Sequence, residues 1–192
     1  MEILLATKNK NKFIELKNIF DQSNSEHELL FYEELIEVEE DKETIFDNAK
    51  KKAIEVYKEY EKPVISDDSG LCIEALNNKP GILSARLAKK HGSFLKAMKF
   101  ILKKMKNKKN RKATFVCSLT YKNSDGAITC VEGKIKGKIS EKILGNKGFG
   151  YDPIFIPSQK KITFGQMLKS KKIKMDHRYI AFQKLKKKIK IF

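Results

Sequence analysis

Apolar positions along this chain fall into two patterns, short unbroken runs and stretches that recur at helical spacing. Ile3-Leu4-Leu5-Ala6 is an unbroken run of the kind that a strand buried on both faces makes. The polar stretch Thr7-Lys8-Asn9-Lys10-Asn11-Lys12 follows, after which Phe13, Leu16, Ile19 and Phe20 recur on one face of a helix. Leu29 to Tyr32 predicts a second strand. Phe46, Ala49, Ala53, Val56, Tyr57 and Tyr60 line a helix that Thr44 and Asp47 open as a capping-box-like pair. Two strands are expected at Pro63 to Ser66 and Leu71 to Leu76, then a turn through Asn77-Asn78-Lys79-Pro80-Gly81. Ser93 to Lys106 reads as a helix with Phe94, Met98, Ile101, Leu102 and Met105 on one face. Ala113 to Tyr121 alternates, and Asn123-Ser124-Asp125-Gly126 turns the chain into a partner strand from Ala127 to Lys138, with Gly133 and Gly137 as candidate bulges. The glycine-rich stretch Gly145 to Pro153 precedes the apolar Ile154-Phe155-Ile156. A last helix starts at Asp176 and runs through Tyr179, Ile180, Phe182, Leu185 and Ile189.

Candidate chemistry is densest at Ser66-Asp67-Asp68-Ser69-Gly70, between the runs Pro63-Val64-Ile65 and Leu71-Cys72-Ile73. On this pattern two adjacent carboxylates stand at a strand end, with Gly70 permitting a tight backbone path and two serines supplying hydroxyls. Carboxylates between apolar runs are costly to desolvate without a cation or a hydrogen-bond network, so a metal ion or a catalytic task is one reading. An Asx-type turn in which Asp67 or Asp68 bonds backbone amides is the other. The loop from Thr7 to Lys12 is a second candidate. Backbone amides, the positive end of a helix dipole and ammonium groups together suit phosphate, although Gly-x-x-x-x-Gly-Lys-Ser/Thr is absent and a solvated lysine-rich turn is the alternative. No Gly-x-Gly-x-x-Gly lies in Gly145 to Pro153, so a dinucleotide fold is not indicated.

With 192 residues and no Gly/Ser/Pro-rich linker, a single domain over 1–192 is expected. A formal charge of +17 would suggest nucleic acid or an anionic membrane surface, but of 41 basic residues only Arg86, Arg111 and Arg178 are arginines. Specific readout of base edges favours arginine, so the lysines read as solvated faces and no specific nucleic-acid partner is expected. The charge is uneven, acidic from Glu26 to Asp47 and basic from Lys96 to Lys112 and from Lys160 to Lys190, and an anionic substrate would be drawn to such a chain. Cys72, Cys117 and Cys130 have no Cys-x-x-Cys spacing and read as buried thiols. No apolar run approaches a membrane span and Met1 to Ala6 lacks the long apolar region of a signal peptide, so a cytoplasmic protein with no membrane partner is expected.

Thr7 to Lys12, Asp47-Asn48-Ala49 with Lys52-Ala53, Ser66 to Leu71, Pro80-Gly81 with Ser84-Ala85-Arg86, Gly148 to Phe155, and His177-Arg178 occur in an order that spans nearly the whole chain. Together they resemble the inosine triphosphate pyrophosphatases, also called noncanonical purine NTP pyrophosphatases. The resemblance implies an elongated α/β fold, a central mixed β-sheet flanked by helices, and a homodimer. It also implies hydrolysis of ITP, dITP and XTP to the monophosphate and pyrophosphate with Mg²⁺, which keeps deaminated purines out of DNA and RNA. By the same resemblance Asp68 is the proton acceptor and a metal-linked carboxylate, with Glu39 as its partner on Mg²⁺ and Glu37 and Glu40 as alternatives. Thr7, Lys8, Asn9, Lys10, Asn11, Lys12, Lys52 and Ser69 fall where the family holds phosphates. Phe149, Gly150, Tyr151, Asp152, Lys172, His177 and Arg178 fall where it holds base and sugar. Two positions depart: Asp176 stands where the family usually has serine, and Gln166 where it tends to have glutamate. A pyrophosphatase for another modified nucleotide and a basic nucleic-acid-binding protein are the alternatives.

Overall fold

Apolar runs become strands and periodic stretches become helices in the computed structural model, which describes residues 1–23 and 26–189. Strand β1 (Glu2–Ala6) has parallel neighbours on both sides, β2 (Glu28–Leu30) and β3 (Val64–Ile73), and Ile3 to Ala6 are fully buried. A strand paired on both edges and covered on both faces has no polar side to show, hence the unbroken run. Helix α1 (Lys10–Asp21) follows β1, and α2 (Ile45–Tyr60) is capped by Thr44, whose hydroxyl accepts the Asp47 N–H at 3.0 Å. Ala49, Ala53 and Val56 of α2 are buried as expected. Phe46, expected beside them, is 36% exposed, and Ile45 is buried instead.

Strand β4 (Lys79–Gly81) pairs antiparallel with β3, and the short helix α3 (Ser84–Lys90), which the apolar pattern did not predict, follows it. Helix α4 (Phe94–Met105) is capped by Ser93. Strands β5 (Lys112–Lys122) and β6 (Ile128–Ile139) are joined by the expected turn, where the Asn123 N–H donates to the Ala127 carbonyl at 3.1 Å. Strand β7 (Phe155–Pro157) pairs antiparallel with β6, and helices α5 (Lys169–Lys172) and α6 (His177–Lys188) complete the described chain. The strands are hydrogen-bonded in the order β2-β1-β3-β5-β6-β7, with β4 also on β3. Parallel and antiparallel pairs in one sheet with helices on it make a mixed α/β fold, as the resemblance implied.

One element differs from its expectation in a way that matters for the site. Ser66 to Gly70 is neither a strand end nor a turn, because β3 runs without a break from Val64 to Ile73 and Gly70 takes no left-handed φ. Asp67 and Asp68 are therefore consecutive strand residues, whose side chains leave opposite faces.

Two compact units interleave along the sequence: Met1–Asp68, Cys117–Gly133 and the chain from His177 form the first, and Ser69–Val116 with Lys134–Asp176 the second. The chain passes between them inside β3, β5 and β6 and at the start of α6, so no linker composition marks the boundary. Leu4, Ala6, Leu35, Ala53, Val56 and Val64 form a core of the first unit, where Phe20 of α1 also meets Phe182 of α6 with ring centroids 6.1 Å apart. Leu71, Ile73, Ile101, Phe115, Phe155 and Phe164 anchor the core of the second. Cys117 is buried, but Cys72 and Cys130 are only half-buried, and all three are free thiols.

Candidate active site

In the first unit the loop after β1 is tied to α1 by its own side chains. Thr7 Oγ1 accepts the Asn9 N–H at 3.1 Å, and Asn9 Oδ1 accepts the N–H groups of Asn11 and Lys12 at 3.0 and 3.3 Å. Asparagine at this position is a preferred helix cap, so two amides expected to face phosphate are bound by Asn9 instead. Lys8 and Asn11 are exposed, and Lys10 is drawn to Glu33 Oε1 at 2.5 Å. Lys12 is the loop residue that points to the carboxylates, its Nζ 3.2 Å from Asp67 Oδ2.

Asp67 and Asp68 are both buried, yet their neighbours divide them. Burial alone would raise the Asp67 pKa, but Lys12, Arg178 and Lys52 outweigh it and hold the carboxyl below its ordinary value. Arg178 Nε lies 3.5 Å from Asp67 Oδ2, while Arg178 Nη1 donates to Glu15 Oε2 at 2.9 Å. Asp68 moves the other way: burial, with Glu40 and Asp67 adding to it against Lys12 and Lys52, pushes its pKa up to about 6. Lys52 explains how Glu40 comes to be there. Its Nζ donates both to Glu40 Oε1 and, at 3.0 Å, to the Asp67 carbonyl, and the surrounding carboxylates keep the ammonium charged despite its burial. Glu39 is exposed, its backbone carbonyl accepting from Lys51 Nζ at 2.9 Å and its side chain adding to the charge around Lys51. Glu40, one of the alternatives to Glu39, is thus the acid of this segment that Lys52 ties to β3 and whose charge acts on Asp68.

His177 and Arg178 open α6 in this unit, both buried. The helix can lie this close to β6 only because residue 133 is glycine: a Cβ there would fall 2.1 Å from the His177 carbonyl oxygen and 2.3 Å from the Ala181 nitrogen.

In the second unit Lys172, at the end of α5, is buried with its Nζ 2.8 Å from Asp152 Oδ2. Asp152 Oδ2 also accepts the Phe149 N–H at 2.9 Å, and the Lys172 ammonium lies over the Phe149 ring, 5.2 Å from its centroid. Gly150 precedes Tyr151 with a left-handed φ of 65°. Tyr151, expected among the base and sugar contacts, is a buried core residue whose hydroxyl donates to the Ser84 carbonyl at 2.8 Å. Ser69 is half-buried on β3. Gln166 accepts the Thr163 N–H at 3.1 Å in a capping box, a task that glutamate performs equally, so this departure from the family changes nothing structural.

The Ham1 family model matches residues 3–188. The chain belongs to the Ham1 family. Among its relatives, the dITP/XTP pyrophosphatase of Clostridium tetani is 38% identical over 99% of this chain and 96% of that protein. The one of Borreliella burgdorferi is 41% identical over 96% of this chain and 94% of its own length. Of solved structures, the Staphylococcus aureus Ham1 protein superposes with a TM-score of 0.87 at 34% identity, covering 99% of this chain and 98% of that one. A Mycobacterium abscessus nucleoside-triphosphatase, also named dITP/XTP pyrophosphatase, gives 0.75 at 36% identity, covering 96% and 97%.

For a Ham1 chain the donor set fits a hard divalent cation. Among the described residues no group of three or more His, Cys, Asp and Glu is placed to hold a metal ion. Mg²⁺ does not need one, since it is usually held by one or two carboxylates together with phosphate oxygens and water. Glu40 and Asp68 can supply that pair, two carboxylates tied together through Lys52, and burial makes the Asp68 carboxylate costly to leave charged without a cation. Sequence reasoning gave Asp67 no distinct role and missed Glu15. The available signal for Glu15 was an acid one residue before Leu16 and four before Ile19, on the apolar side of α1.

Proposed function

We propose that this chain is a nucleoside triphosphate pyrophosphatase that hydrolyses the noncanonical purine triphosphates ITP, dITP and XTP to the monophosphate and pyrophosphate. The observation that carries the reading is Asp68: a buried carboxylate with a pKa near 6, beside Glu40, Lys12 and Lys52, in a Ham1 chain whose relatives bear the name dITP/XTP pyrophosphatase. At neutral pH such a group is ionised and still basic enough to take a proton from water. Asp68 is accordingly the general base. Lys12 and Lys52 bring ammonium charge to the phosphates, and cleavage between the α and β phosphates asks little more of a protein than charge neutralisation and an oriented water. Mg²⁺, held by Glu40 and Asp68, would add its charge against the negative charge on the phosphate oxygens. Thr7 and Asn9 join the phosphate contacts.

Phe149, with Lys172 and Asp152 behind it, receives the purine ring. On the family resemblance His177 and Arg178 take part in base recognition, and Glu15 and Asp67 fix the guanidinium for that task. Hypoxanthine presents an oxygen at position 6 where adenine presents a donor, so adenine would leave an arginine N–H unpaired at about 1–3 kcal/mol. A homodimer in the cytoplasm is what the family resemblance implies, and light scattering checks the dimer. The test of the function is a panel of ITP, XTP, ATP, GTP and a modified pyrimidine triphosphate assayed for pyrophosphate release. Hydrolysis of ITP and XTP far above the others is expected. A pyrimidine triphosphate as the best substrate would overturn the assignment.

A further inference from the structure

The environment of Lys172 asks for more explanation than the phosphate chemistry gives. Its Nζ lies 2.8 Å from Asp152 Oδ2 and 3.9 Å from Asp176 Oδ2, over the rings of Phe149 and Phe164 at 5.2 and 5.6 Å. Asp152 in turn holds the Phe149 N–H, and the fit is close: a Cβ on Gly148 would fall 2.1 Å from Asp152 Oδ2. A continuous series of contacts therefore runs from Asp176 through Lys172 and Asp152 to Phe149. Asp176 is fully buried, and the family resemblance sets it where serine is usual. Whatever else touches it, aspartate in place of serine adds one negative charge 3.9 Å from the ammonium.

We propose that Asp176 is a specificity-determining residue that sets the choice between neutral and anionic purines and favours hypoxanthine over xanthine. The proposal rests on the reading that the base docks against Phe149 and Lys172. Xanthine nucleosides lose a ring proton in the mildly acidic range and are anions at neutral pH, whereas hypoxanthine stays neutral there. An ammonium beside the base would by itself favour the anion. A second carboxylate on that ammonium offsets the attraction, and a buried charge is screened far less than a surface one. One such charge changes relative affinity by about tenfold.

The test compares kcat/KM for ITP and XTP in the wild type, in Asp176→Asn, which keeps the shape and drops the charge, and in Asp176→Ser. Both variants are expected to raise the XTP/ITP ratio about tenfold at neutral pH, chiefly through the KM for XTP. In the wild type the ratio should climb as the pH is lowered and xanthine becomes neutral, and climb less in Asp176→Asn. Lys172 faces Asp176, Asp152 shares that ammonium, and His177 and Arg178 follow Asp176 in the chain; measuring ITP on the same enzyme at each pH cancels their titration. An unchanged XTP/ITP ratio in both variants, with ITP still turned over, overturns the inference and leaves the docking reading standing. If Phe149→Ala leaves the KM for ITP unchanged, the docking reading fails in ITP alone and the inference falls with it. The wild-type pH series needs no variant to fold: a flat XTP/ITP ratio across it also refutes the proposal.

Discussion

The first unit's cluster around Asp68 and the second unit's cluster around Lys172 use the same residue types to opposite ends. Around Asp68, burial, with Glu40 and Asp67 adding to it, pushes the carboxyl to a pKa of about 6 even with Lys12 and Lys52 near. Around Lys172, a cation is clasped by Asp152 and Asp176 and set against aromatic rings. The first arrangement favours whatever brings positive charge, a proton or a hard metal ion. The second fixes a cation and a ring in place and leaves its charge largely answered, which suits recognition of a planar base. The difference teaches that burial of charge is not itself a sign of chemistry; what counts is whether the neighbours complete it.

Breaking the first cluster should have the largest effect. Asp68→Asn is expected to lower kcat by about 10²–10⁴-fold, the usual cost of losing a general base. The same change should stabilise the fold at neutral pH. The folded-state pKa of about 6 lies above the carboxyl's ordinary value of 3.8, so this group's contribution to stability falls as pH rises through that window and stays low above it. Removing the charge therefore returns roughly 2–3 kcal/mol, readable as a higher denaturation midpoint in urea. A variant that keeps half its activity, or that is less stable than the wild type at neutral pH, contradicts the reading of Asp68.

The metal assignment is sharpened by a paired comparison. Glu40→Gln should raise the Mg²⁺ concentration needed for half-maximal activity by about tenfold or more, while Glu39→Gln leaves it nearly unchanged. The reverse order would restore Glu39. Next comes Arg178→Ala, which should collapse the preference for ITP over ATP, worth about 1–3 kcal/mol, and also destabilise the chain by about 3–5 kcal/mol because Glu15 is left buried without that partner. Loss of stability with an unchanged ITP/ATP ratio would make Arg178 a clamp for Asp67 alone. The smallest effect is expected for Asp176→Ser on the ITP/GTP ratio, since both bases are neutral; a large change there would place the Asp176 carboxylate against the base itself.

Much of the fold was legible because period and burial agree: Ile3 to Ala6, the cap Thr44, the helix from Ser93 and the turn at Asn123 to Gly126 each carry their own local signal. The break imagined at Ser66 to Gly70 failed for the opposite reason. Two aspartates and a glycine look like a turn by composition, but Lys12, Lys52 and Arg178, all distant in sequence, supply the charge that lets Asp67 stay buried in a strand. Short α3 offered too few turns for a period to show. The choice between Glu39 and Glu40 depends on where Lys52 reaches, which no spacing along the acidic segment reveals. The partner of the Tyr151 hydroxyl was not legible for a related reason, since it is a backbone carbonyl in another part of the second unit.

The most direct measurement of the central claim is the identity of the products formed from ITP with Mg²⁺ by the purified chain. The account predicts IMP and pyrophosphate in equal amounts, and neither once the metal is removed with EDTA. Formation of IDP and orthophosphate, or undiminished turnover after exhaustive chelation, would contradict it.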